Sequence, residues 1–154
     1  MPPVLSFTVT GSGPPVVILH GLFGSAVNWR RIADTLGHRW QVFSLDLPNH
    51  GDSAWTDDMS YPAQAKALAS FISDHVPDNP IIIGHSMGGK VAMALALEGG
   101  TPLAGLVVVD IAPVAYPHSH QSLVASMKAL DLAALRNRRD ADQALESDMP
   151  DKAL

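Results

Sequence analysis

Three unbroken apolar runs constrain this chain more than any other feature: V-V-I-L at residues 16–19, I-I-I at 81–83 and L-V-V-V at 106–109. A strand that is apolar at every position has no face to offer water. It must be covered on both sides, as in a parallel sheet packed between helices. Between the runs lie segments with helical spacing. In residues 26–36 the apolar Val27, Ile32, Ala33 and Leu36 fit a helix that Ser25 could cap. Leu68, Phe71, Ile72 and Val76 mark a second face after Pro62, which a first helical turn tolerates. Residues 90–97 are alanine-rich and small on every side, as a helix pressed onto a sheet must be. Residues 41–47 supply another strand, and residues 5–10 alternate like a half-buried antiparallel one. The expected architecture is α/β, a mostly parallel sheet with flanking helices and right-handed crossovers.

At 154 residues, the chain is long enough for a core that needs neither disulfides nor a structural metal. The absence of cysteine excludes a disulfide scaffold, an Fe–S cluster, a zinc ribbon and a cysteine nucleophile. A net charge of −5 argues against a nucleic-acid backbone binder, whose affinity comes from Lys and Arg. No apolar run approaches the roughly 20 residues of a membrane span, and the opening M-P-P-V lacks the features of a secretory signal. The expectation is a soluble cytoplasmic chain without nucleic-acid or membrane partners. Beyond Pro113 the strand pattern stops, and ten of the twenty-five charged residues fall within 131–154. Residues 119–130 and 140–145 read as amphipathic helices laid over the sheet edge. The chain is therefore divided into a core, 1–113, and a helical addition, 114–154.

Ligands on parallel sheets bind outside the carboxyl ends of the strands. His20, Gly21, Asp46, Ser86 and Asp110 stand at those ends. The run Gly84-His85-Ser86-Met87-Gly88 fits G-x-S-x-G between a buried strand and a helix, the setting of a nucleophile elbow. Side chains two residues to either side of the serine would clash, so glycines stand there. Ser86 Oγ is then raised above the sheet at the opening of a helix whose amides favour developing negative charge. Glycines in His20-Gly21-Leu22-Phe23-Gly24 let the backbone bend toward the same place. The amides of Leu22 and Met87 would form a two-donor oxyanion hole. Phe23 is either a wall of the acyl pocket or a core aromatic, and His20 reads as a brace for its loop.

Together with Asp46-Leu47-Pro48-Asn49-His50-Gly51-Asp52-Ser53 and Val109-Asp110-Ile111-Ala112-Pro113, these motifs resemble an α/β-hydrolase. More narrowly, the chain resembles the small bacterial carboxylesterases related to the mitochondrial abhydrolase subgroup, some of which also cleave acyl-CoA thioesters. The resemblance implies a serine hydrolase of carboxylic esters, working through an acyl-enzyme without metal or cofactor. It also implies that Asp110 is the acid that orients the catalytic imidazole; the plainer alternative is an aspartate bracing the following turn. By the same resemblance the Asp46 loop is structural. His50, next to Gly51, reads as a turn residue.

The histidine that such a triad requires is not evident. His118 and His120 follow Asp110 too closely to come from an opposed loop, and His85 points away from Ser86 if the strand alternates. The family resemblance implies about a hundred further residues, consistent with ordinary domain size, carrying two strands, the rest of the cap and that histidine. The expectation is an N-terminal portion, with a C-terminal fragment or second chain completing the fold, and a chain that alone is weakly active or inactive. Two rivals remain: a non-catalytic ligand-binding or interaction module derived from such a hydrolase, and a phosphate or CoA contact through Arg136, Arg138 and Arg139.

Overall fold

A computed structural model describes residues 2–116 and 121–146 of the chain. The chain divides into two compact units, Met1–Pro113 and Val114–Leu154.

The first unit is built on five strands: β1 (Phe7–Thr10), β2 (Pro15–Leu19), β3 (Gln41–Leu45), β4 (Ile81–His85) and β5 (Gly105–Val109). Their order is β1-β3-β2-β4-β5. β1 runs antiparallel to β3, and every other pairing is parallel. The alternating segment therefore becomes the antiparallel edge, and the continuously apolar ones become parallel strands, as expected. The flanking helices are α1 (Arg30–Leu36), α2 (Tyr61–His75) and α3 (Met87–Glu98).

The sheet's period of two divides its side chains between two cores. Val17, Leu19, Phe43, Leu45 and Ile82 face one way and pack with Leu68, Phe71 and Ile72 of α2 and Val91, Ala92 and Leu95 of α3. Val16, Ile18 and Val42 face the other way and meet Ala33, Leu36 and Trp29. α2 starts at Ser60, whose side chain accepts the Ala63 N–H, with Pro62 in the first turn. α3 ends at Gly99, whose φ of 71° requires a residue without Cβ strain.

Two expectations are corrected. Residues 26–36 do not form one continuous helix, although Ser25 is the N-cap of its first turn. A 3₁₀ turn spans Ala26–Trp29, and α1 begins only at Arg30. Asn28 joins Ser25 in a capping box, its Oδ1 accepting the Ser25 N–H at 2.7 Å. Val27 is 67% exposed, and of the four apolar residues expected to mark the helix only Ala33 is fully buried. The second correction is β5. Among the described residues it pairs with β4 alone, and Leu106 and Val107 are 37% and 46% exposed rather than covered on both faces.

The second unit holds α4 (Gln121–Ala129) and α5 (Arg138–Leu145). α5 begins two residues before its expected start because Asn137 accepts the Asp140 N–H and caps it there. Residues 119 and 120 of the other expected helix lie outside the described residues, as do His118 and His120 as base candidates.

Candidate active site

β4 leads into α3 through a single residue. Ser86 lies at φ 49°, ψ −113°, between a strand ending at His85 and a helix beginning at Met87. A serine with that backbone costs on the order of 1–3 kcal/mol, and such strain persists only where the surroundings over-determine it. Here they do. A Cβ on Gly84 would lie 2.5 Å from the Gly88 carbonyl oxygen. One on Gly88 would lie 2.6 Å from the His20 carbonyl oxygen and 2.7 Å from the Leu19 side chain. Helix, strand and neighbouring strand approach so closely that only glycine fits at either place.

The corner leaves Ser86 partly exposed at the carboxyl end of the sheet. Its N–H is bonded to the Val109 carbonyl at 3.0 Å, and its carbonyl accepts from Lys90 N–H. Among the described residues its Oγ has no hydrogen-bond partner, and neither do the amides of Leu22 and Met87. Gly21 brings the preceding loop against this corner: a Cβ there would lie 3.4 Å from Ser86 Cβ and 2.8 Å from His85 Nδ1. Phe23 is 54% exposed, which removes its reading as a core aromatic. With Leu22, Asn28, Trp29 and His85 it lines an open cleft of about 310 Å³.

Asp110 follows the last paired residue of β5, where Val109 is in register with His85. It too has a left-handed backbone, φ 55°. Its carboxylate is largely exposed and lies 3.8 Å from His85 Nε2. Sequence reasoning missed this neighbour. The parallel register was the available signal, since it sets residues 85 and 109 side by side at the sheet's carboxyl end.

A polar clamp holds the loop from below. His20 is buried; its Nε2 accepts the Leu47 N–H at 3.0 Å, so Nδ1 carries the hydrogen and donates to the Gly21 carbonyl at 2.7 Å. Burial pushes its pKa below the ordinary 6.5, and the neighbouring His50 pushes the same way against the Gly21 carbonyl and Asp46. His20 is thus the loop brace expected of it. Asp46 accepts from the Ala26 amide at 2.7 Å and the Asp52 amide at 3.0 Å, and Ser53 Oγ donates to the Asp46 carbonyl at 2.5 Å. This carboxylate spends both oxygens on backbone, in keeping with a structural loop. Arg136 and Arg139 belong to the second unit, and the Arg138 side chain lies outside the described residues.

Residues 14–146 match the alpha/beta hydrolase fold family. The chain is 39% identical over 142 residues to the sn-1-specific diacylglycerol lipase ABHD11 of Mus musculus, an alignment covering 87% of this chain and 46% of that protein. It is 37% identical over 128 residues to Esterase YbfF of Escherichia coli (strain K12), covering 82% of this chain and 50% of the relative. A solved marine microorganism esterase superposes with a TM-score of 0.85 at 39% identity, covering 94% of this chain and 58% of that one. The chain spans about half the length of these curated relatives.

Proposed function

Because the chain belongs to the alpha/beta hydrolase fold family, we propose that it carries the nucleophile half of a serine hydrolase acting on carboxylic esters. One observation carries this reading: Ser86 is held at φ 49° where β4 meets α3, and among the described residues neither its Oγ nor the amides of Leu22 and Met87 have a hydrogen-bond partner. Ser86 Oγ attacks the acyl carbonyl carbon while a base removes its proton. The Leu22 and Met87 amides hold the resulting oxyanion, and the alcohol departs with that proton. Water then attacks the acyl-enzyme by the same route, releasing the carboxylic acid and restoring the hydroxyl. No metal or cofactor enters these steps. Asp110 serves as the acid that orients the base, and Phe23 walls the acyl pocket.

The base is a histidine supplied from outside this sequence, by a longer chain or a second one. Two observations support this: no described histidine is hydrogen-bonded to Ser86 Oγ, and the relatives are about twice as long as the matched segment. Short-chain esters are the expected substrates, with acyl-CoA thioesters as the second class. The unpartnered Oγ also favours a second reading, a module that binds ligand without turnover.

A fluorophosphonate probe separates the two. With the histidine-bearing portion present, intact mass should show one adduct on the wild type and none on Ser86→Ala, while the binding-module reading expects no adduct on either. Turnover of a p-nitrophenyl ester by the chain alone should be low. Loss of the histidine from a triad costs about 10⁶ in turnover and leaves roughly 10³–10⁴ over water. Fast Ser86-dependent hydrolysis by the purified chain alone would sink the missing-base account.

A further inference from the structure

We propose that His50 is a positioning residue for the loop that carries the Leu22 amide, a role that rests on the functional reading above. Phe23 has φ 61°, a left-handed backbone that a bulky residue rarely keeps. Its side chain is more than half exposed, so core packing does not hold it there. What holds it is its own amide, which donates to His50 Nε2 at 3.2 Å. The rest of the loop is secured elsewhere: Gly24 N–H to the Gly21 carbonyl at 3.0 Å, Ala26 N–H to Asp46, and His20 to Leu47 N–H. Among these ties only the His50 bond falls on the strained residue, next in sequence to Leu22.

His50 is itself prepared for this. Its Nδ1 lies 2.8 Å from the Pro48 carbonyl and donates to it, which fixes the tautomer and leaves the Nε2 lone pair for Phe23. The ring also stands 5.0 Å from the ring of His20. Loop 48–50 thereby sets the conformation of residues 22–23, and so where the Leu22 N–H points.

The test uses the protein together with its histidine-bearing portion, in the variants His50→Phe, which keeps a ring beside His20 but has no acceptor, and His50→Gln, whose Oε1 can take the place of Nε2. Two quantities are read: hydrogen exchange of the Phe23 amide, and the rate of Ser86 adduct formation with a fluorophosphonate, followed by intact mass. In His50→Phe the amide should exchange about 2- to 10-fold faster, the equivalent of one lost neutral hydrogen bond. Labelling should slow by about tenfold or more, toward the 10²–10³ seen when an oxyanion donor is removed outright. His50→Gln should recover most of both. Equal labelling of wild type and His50→Phe overturns the proposal even if exchange quickens, because the bond is then structural only. A Gln variant as slow as the Phe variant also overturns it, since the acceptor is then not the cause. A wild type that never labels at Ser86 with the histidine-bearing portion present removes the functional reading itself, and this proposal with it.

Discussion

Phe23, Asn49, Ser86 and Asp110 are the non-glycine residues with positive φ among those described. Asparagine and aspartate visit that region more readily than other residues, whereas Phe and Ser do so at a cost. Phe23, Ser86 and Asp110 lie at the carboxyl end of the sheet, and each stands in a motif of the sequence. Strain of this kind is not written in composition. It was legible because the glycines flanking Ser86 and Phe23 mark where backbone crowding excludes a side chain. His20 gives the residue scale its pH dependence. Its pKa is lowered in the fold, chiefly by burial, so the imidazole stays neutral there while the unfolded chain protonates near 6.5. Below 6.5 the unfolded state binds more protons, so stability falls as pH drops from 6.5 toward the depressed folded value, and is unaffected by this group above 6.5. Urea midpoints taken from about pH 5 to 7 should rise with pH in the wild type, and less steeply in His20→Gln. Parallel slopes in the two proteins would show that His20 is not the group responsible.

At the scale of elements, α3 is the part most exposed to a single change. Ala at position 88 would place a methyl group against the His20 carbonyl and the Leu19 side chain, neither of which can retreat without moving β2. Gly88→Ala is expected to destabilise by about 1–3 kcal/mol, the usual cost of overpacking, and to slow Ser86 labelling as the corner shifts. Denaturant unfolding measures the first and probe kinetics the second; a variant within about 0.5 kcal/mol of wild type would mean the corner is looser than its contacts indicate. The helix α2 was readable from spacing: Leu68, Phe71 and Ile72 are buried as a face, and Pro62 stands in its first turn. Residues 26–36 were misread as one helix: the segment breaks into a 3₁₀ turn and the short helix α1, with Val27 and Ile32 exposed and Ala33 buried.

For the molecule as a whole, the consequence lies at β5. One edge of this strand has no strand partner among the described residues, and Leu106 and Val107 expose apolar surface beside it. Unpaired backbone next to apolar side chains is a template for association. The purified chain should therefore sediment with a concentration-dependent increase in mass, and Val107→Lys should shift it toward monomer while leaving Ser86 labelling intact. A wild-type chain that stays monomeric over the accessible concentration range would contradict this.

The sequence by itself determined which segments become strands, which strand is antiparallel, and where the glycine-flanked serine stands, because each depends on periodicity or on a steric demand within a few residues. Tertiary structure decided the rest. It put β5 at an edge, gave Asp110 the neighbour His85, and joined the Phe23 amide to His50 across twenty-seven residues. Those outcomes depend on which loops come together in space once the sheet has formed. Spacing along the chain carries no record of that, and the tautomers and exposures that govern the chemistry follow from it.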